Sequence, residues 1–182
     1  MAAEAPTDLG LIAPAFTLPD SAGRLWSLDQ IAGTSGTEIL FLVSHWPSVH
    51  AIRDRLVRDA TELQALGIGV AGINANDAEA YPEDAFAAMA PFAAAHHLPF
   101  PYLHDESQAV ARAYGAICTP DFFGFDANRV LRYRGRLDSS GRQPATPDAR
   151  RELVEAMRLV IKGQSPAEVN PCIGCSIKWR PE

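Results

Sequence analysis

Glu38-Ile39-Leu40-Phe41-Leu42-Val43-Ser44-His45-Trp46-Pro47-Ser48-Val49 is the stretch on which the fold turns. Its apolar run stops at Ser44, and a long amphipathic segment starts after Pro47. A run without polar alternation reads as a strand covered on both faces, and a proline fits the first turn of a helix, where its missing N–H has no partner to lose. Ser44, His45 and Trp46 therefore lie between the carboxyl end of a strand and the amino end of a helix. In α/β proteins such a junction opens a crevice and turns unpaired N–H groups and positive potential toward an anion or thiolate.

Working outward, Leu11 to Asp20 and Arg24 to Leu28 flank the turn Ser21-Ala22-Gly23 and predict an edge hairpin, with one helical turn over Asp29 to Gly33. Downstream, Val49, Ile52, Leu56, Ala60, Leu63 and Leu66 recur at helical spacing, and Gly67 supplies the C-cap. Ile68 to Asn74 is a second buried strand. Pro82 opens a helical region with Phe86, Met89, Phe92 and Ala93 on one face, and Pro91 is expected to split it into two short helices. Pro99 to Leu103 reads as extended, and Glu106 to Tyr114 as a helix closed by Gly115. Asp121 to Phe125 and Val130 to Arg134 form a hairpin around Asp126 to Asn128. Thr146-Pro147-Asp148 carries the signature of a helix start, followed by Leu153, Met157, Val160 and Ile161 on the buried face. Residues 164–182 have no period, and Ile173, Ile177 and Trp179 are their expected anchors.

The predicted architecture is one α/β domain over residues 1–163, with a mixed central β-sheet, helices on both faces and an N-terminal β-hairpin extension. Residues 164–182 form a tail packed on the same domain. Right-handed crossovers would set the Ser44 to Trp46 junction near Thr119-Pro120.

The chain has 182 residues, 47% of them apolar, enough for one core. Its formal charge of −6, with no basic tract, argues against a nucleic-acid or anionic-membrane surface. Neither a signal sequence nor a bilayer-spanning run is expected, which makes the cytoplasm the default address. Three cysteines, Cys118, Cys172 and Cys175, are too few for a disulfide scaffold. In a reducing compartment a close pair points to redox or metal chemistry instead.

Cys172-Ile173-Gly174-Cys175 is that pair. Gly174 eases a turn, and Lys178 and Arg180 could lower a thiol pKa, although the motif also reads as a tail anchor. Cys118, two residues before Pro120, reads either as a resolving thiol or as buried packing. Zinc takes four ligands and a single CxxC supplies two, even with Cys118 or His45 nearby, so no metal is expected. Ser44-His45 lacks a nucleophile elbow. Trp46 reads as a plug of the crevice or as an aromatic platform, and Asn74, Asn76, Asp77, Tyr81 and Asp84 as a polar loop supporting the site.

Several segments then carry a family resemblance. They are Ala13-Pro14-x-Phe16-x-Leu18-Pro19-Asp20, Ile73-Asn74-x-Asn76-Asp77, Phe100-Pro101-Tyr102-Leu103-x-Asp105, Cys118-Thr119-Pro120-Asp121-x-Phe123-x-Phe125, Tyr133-Arg134-Gly135-Arg136-Leu137-Asp138 and Gly174-Cys175-Ser176-Ile177-Lys178-Trp179. Together they resemble the alkyl hydroperoxide reductase/thiol-specific antioxidant branch of the thioredoxin-like proteins. The resemblance implies a thioredoxin-like fold, with Pro120 as a cis-proline beside the active site, Ser44, His45, Trp46, Pro47, Thr119 and Pro120 around the pocket, and Cys175 as a family cysteine. The branch usually reads Asn-His-Cys-Pro-Tyr-Val where this chain has Ser44-His45-Trp46-Pro47-Ser48-Val49, so Trp46 replaces the reactive cysteine and Cys172 is gained. The function this implies is a divergent thiol-dependent redoxin with its redox pair relocated to Cys172 and Cys175 and with Cys118 at hand. Its substrate would be a peroxide or a protein disulfide, and its reductant an external dithiol such as a thioredoxin-type protein. No bound cofactor is needed. The alternative is a catalytically inactive thioredoxin-like binding or regulatory protein. The edge near Phe16 to Leu18 suits a homodimer.

Overall fold

The run that opens at Glu38 lies at the centre of a five-stranded sheet in the computed structural model, which describes residues 9–44, 47–141, 143–172 and 174–181, with only the backbone of 47–51. A hairpin of β1 (Thr17–Pro19) and β2 (Leu25–Ser27) leads into the single turn α1 (Leu28–Ile31), which Ser27 and Gln30 close with a capping box. Then come β3 (Gly36–Phe41), α2 (Pro47–Ala65) and β4 (Ile68–Asn74). A 3-10 turn (Pro82–Asp84) precedes α3 (Phe86–Ala95), β5 (Tyr102–His104) and α4 (Ala109–Tyr114). The chain continues through β6 (Cys118–Thr119), β7 (Asp121–Asp126), β8 (Leu131–Gly135), α5 (Glu152–Ile161) and β9 (Cys175–Ser176).

The main sheet runs β5-β4-β3-β7-β8. β3, β4 and β5 are parallel, whereas β7 runs antiparallel to β3, so the sheet is mixed as expected. Alternate residues of β3 feed two cores, which is why its sequence shows no polar alternation. Leu40 and Leu42 face a cluster with Ile52 and Leu56 of α2, Met89 of α3 and Leu153 and Met157 of α5. Ile39 and Phe41 face another with Leu28 of α1, Ala111 and Tyr114 of α4, and Phe16 of the hairpin. Phe41 and Phe123 both meet Tyr114 edge-on, with ring centroids 5.8 Å from it in each case.

Four local expectations need correction. Pro91 does not split its helix, because α3 runs unbroken from Phe86 to Ala95. Pro91 and Ala87, whose carbonyl loses its usual donor, are both exposed, so that carbonyl stays open to solvent and the proline is tolerated. The helix expected from Glu106 starts at Ala109, since Gln108 adopts a left-handed φ of 61° and the Asp105 carboxylate takes the Ala111 N–H at 2.8 Å. Thr146-Pro147-Asp148 makes a turn rather than a helix start, with the Ala149 N–H donating to the Thr146 carbonyl. Ser139 and Arg150 pin the following chain to each other, so α5 begins only at Glu152. The tail also contains a strand: β9 pairs antiparallel with β6, Cys118 opposite Ser176 and Thr119 opposite Cys175. Two residues are too few for a period to show. Ile177 is buried and Trp179 packs against the same cluster under the Arg112 guanidinium, whereas Ile173 lies outside the described residues.

Candidate active site

The carboxyl end of β3 meets the amino end of β7, with Phe41 opposite Asp121 in register. Because β7 follows directly on Thr119-Pro120, β3 ends beside that dipeptide. The Thr119–Pro120 peptide is cis. Ser44 is buried, and its N–H donates to the Asp84 carboxylate at 3.2 Å, while its hydroxyl lies 3.3 Å from the Tyr102 hydroxyl. Asn76 and Asn74 donate to Asp84 in turn, so the polar loop after β4 grips the end of β3. His45 and Trp46 lie outside the described residues, as does the side chain of Pro47.

A cavity of about 250 Å³ opens beside Pro120. Ile52, in the second turn of α2, and Phe122 and Leu137 form its apolar wall, Arg136, Ser139 and Ser140 supply polar groups, and Cys172 borders it. Its rim loop is shaped by Arg55. That guanidinium donates to both carboxylate oxygens of Asp138 at 2.6 Å and to the Gly141 and Gln143 carbonyls at 3.0 Å.

The thiols gather under this cavity. Cys118 is fully buried and Cys172 is 3% exposed. Both donate to the carbonyl oxygen of Pro120, Cys118 across 3.7 Å and Cys172 in closer contact. The Cys118 thiol also points at the Cys172 carbonyl, 4.0 Å away. The neighbouring Cys118 thiol, and then burial, push the Cys172 thiol well above the ordinary cysteine range. Asp121, whose carboxyl is raised chiefly by burial, lies close by and is held by Arg134 at 2.9 Å.

Cys175 has other neighbours. It is only partly buried and sits opposite Thr119, whose hydroxyl lies 3.5 Å from the Cys175 carbonyl. All three cysteines are free thiols. The structure thus brings Cys118, Cys172 and Pro120 together, with Thr119 and Cys175 alongside, while Ser44 belongs to the Asp84 and Tyr102 network. The spacing in the sequence drew Cys172 toward Cys175. Its contact with Cys118 depends on the antiparallel register of β6 and β9, which no local pattern reveals.

The tail is fastened at several further points. The Lys178 N–H donates to Asn76 and the Arg180 N–H to Gln108, while Gln108 donates to the Ala75 and Lys178 carbonyls. At Gly174 a Cβ would stand 2.4 Å from the Thr119 carbonyl oxygen, so only glycine allows this approach. Arg136 and Asn170 both reach Glu152, at 2.8 and 3.2 Å, and the Arg136 pair holds the Glu152 carboxyl below the usual range.

Residues 9–134 match the family model described as the AhpC/TSA family. The chain belongs to the AhpC/TSA family. It is similar along its whole length to a conserved protein of Geobacillus kaustophilus of known structure, with 39% identity, a TM-score of 0.94 and 98% of that chain covered. A Coxiella burnetii protein provisionally named peroxiredoxin bcp is 26% identical over 136 residues, covering 74% of this chain and 83% of that one. The thioredoxin domain of a Bacteroides vulgatus thiol-disulfide oxidoreductase shares the fold, with a TM-score of 0.58 at 15% identity over 71% of this chain and 89% of that domain. The fold is thioredoxin-like, and the AhpC/TSA family is one of thiol-dependent redoxins.

Proposed function

We propose that this chain is a redoxin that takes electrons from a dithiol and passes them to a peroxide or a disulfide at the cavity beside Pro120, through Cys172. The observation that carries this reading is that Cys172 borders the cavity beside Pro120, in a sequence that has Trp46 where the family resemblance puts the reactive cysteine. A thiolate is the nucleophile in all such chemistry, so the reaction has to use a cysteine elsewhere. With a hydroperoxide, the Cys172 sulfur attacks the distal oxygen, the O–O bond breaks, an alcohol leaves and Cys172 becomes a sulfenic acid. A second thiol then condenses with it, forming a disulfide and releasing water. An external dithiol, such as that of a thioredoxin-type protein, reduces the disulfide and closes the cycle without a bound cofactor.

The test is turnover of hydrogen peroxide, cumene hydroperoxide or a small disulfide with dithiothreitol as reductant. Wild type turns over above background and Cys172→Ser falls to it. Equal turnover in both forms, or none in wild type, overturns the reading. A second reading has its own support: Cys172 is buried, and the Cys118 thiol beside it and that burial favour its protonated form, which a catalytically inactive binding or regulatory protein tolerates. For that protein, Cys172→Ser and Cys175→Ser leave partner binding intact.

A further inference from the structure

We propose that the thiol that pairs with Cys172 is Cys118 and not Cys175, so that the redox couple is a Cys118–Cys172 disulfide lying against Pro120 at the inner wall of the cavity. The inference rests on the reading of Cys172 as the reactive thiol and adds its partner. The two sulfurs converge on one atom, the Pro120 carbonyl oxygen, to which both thiols donate. Cys118 also reaches the Cys172 backbone at 4.0 Å, and both residues belong to one apolar cluster. A short movement of either side chain within that cluster brings sulfur to sulfur.

Cys175 is differently committed. Its backbone and that of Ser176 are extended and paired with Thr119 and Cys118, and the preceding Gly174 lies tight against the Thr119 backbone. A Cys172–Cys175 ring would have to close on a residue whose backbone is already fixed by that pairing. The Cys118 side is already in place, because β6 holds it beside the segment that carries Cys172.

With a small disulfide RSSR as oxidant, the Cys172 thiolate attacks one sulfur and the S–S bond breaks. RS⁻ leaves and takes up the proton that Cys172 released. The Cys118 thiolate then attacks the Cys172 sulfur of the mixed disulfide, expelling the second RS⁻, which takes the Cys118 proton. The sum is protein(SH)₂ + RSSR → protein(S–S) + 2 RSH, with two electrons passing from the protein to the oxidant.

The sequence offers a direct readout. Trypsin cuts after Arg112, Arg129, Lys162 and Lys178, leaving Cys118 on peptide 113–129 and both Cys172 and Cys175 on peptide 163–178. The reduced full-length protein is treated with hydroxyethyl disulfide, blocked with N-ethylmaleimide and digested without reduction. The proposal expects a cross-link of the two peptides that fragments to Cys172, with Cys175 carrying the maleimide, and expects the same cross-link in Cys175→Ser. In Cys118→Ser, whose hydroxyl still has the Pro120 carbonyl to donate to, the Cys172 mixed disulfide accumulates. Peptide 163–178 alone, lighter by two hydrogens, overturns the pairing while leaving the redoxin reading standing. Three maleimide-labelled thiols, after hydroxyethyl disulfide and equally after hydrogen peroxide, overturn both.

Discussion

Burial at Cys172 works against the thiolate that exchange chemistry requires. The Cys118 thiol beside it and the apolar surroundings favour the protonated form, and only the thiolate attacks. Reaction of Cys172 with a small disulfide is therefore expected to rise steadily with pH, with no plateau below about pH 8.5, the value for a free cysteine. Stopped-flow rates from pH 6 to 10 check this, and a plateau near pH 6–7 would contradict it. A second buried acid is Glu38, in the middle of β3. Burial, and then the nearby Asp121 charge, push its carboxyl well above the usual range. Neither carboxylate oxygen makes a hydrogen bond of good geometry, and the Phe123 backbone offsets this only in part. A raised folded pKa gives stability that is fully present below the unfolded value near 4.5 and is lost as pH climbs toward the folded value, at up to about 1.4 kcal/mol per pH unit. Glu38→Gln lacks this loss. Its melting temperature is expected to gain on wild type between pH 5 and pH 8, whereas parallel curves would mean that Glu38 ionises normally. The sequence showed Trp46 in place of the family's cysteine plainly, because a resemblance compares residues position by position. It did not show Cys118 against Cys172, since those residues are 54 apart and meet only through tertiary pairing.

Arg55 links α2 to the cavity rim. It is buried, its partner Asp138 is buried, and its other donors hold the Gly141 and Gln143 carbonyls. Removing one member of such a pair leaves the other charge without its counter-ion, which costs about 3–5 kcal/mol. Arg55→Ala is expected to lower the urea midpoint accordingly and to loosen the rim, while Arg55→Lys keeps a charge opposite Asp138 but loses the forked bonds to the loop. An unchanged midpoint in the alanine variant would show that water replaces the guanidinium. Elements with a strong period were legible in sequence: β4 begins and ends as read, and α2 differs from its reading by a residue at each end. Those whose limits are set by side-chain bonds to distant segments were not. Thr146-Pro147-Asp148 has every local mark of a helix start, yet the Ser139–Arg150 bonds hold the chain out of the helix until Glu152.

Across the whole molecule, the tail is the piece that completes the site. It passes Glu152 and Arg136, brings Cys172 under Pro120, pairs with β6 and ends fastened to Asn76 and Gln108. A Cys118–Cys172 disulfide would close a loop between residues 54 apart and restrict the unfolded chain, for a gain of up to about 4 kcal/mol in the chain-entropy model. The oxidised protein is therefore expected to melt above the reduced one in calorimetry, and a lower melting point would mean that the bond distorts the native packing. A Cys172–Cys175 ring spans too few residues for a comparable effect. The mixed sheet with helices on both faces was legible because its layers follow from hydrophobic pattern and crossover handedness, whereas its thioredoxin-like character was legible only through the family resemblance. The tail's course was not, because its two-residue strand and its single anchors leave no period to read.

The most direct test of the central claim is the intact mass of the reduced protein under non-reducing conditions, before and after a small excess of hydrogen peroxide and again after dithiothreitol. The account predicts a loss of two hydrogens, fully regained with the dithiol, and no such change in Cys172→Ser. A mass that stays constant, or that climbs irreversibly by added oxygen, would contradict a redox centre at Cys172.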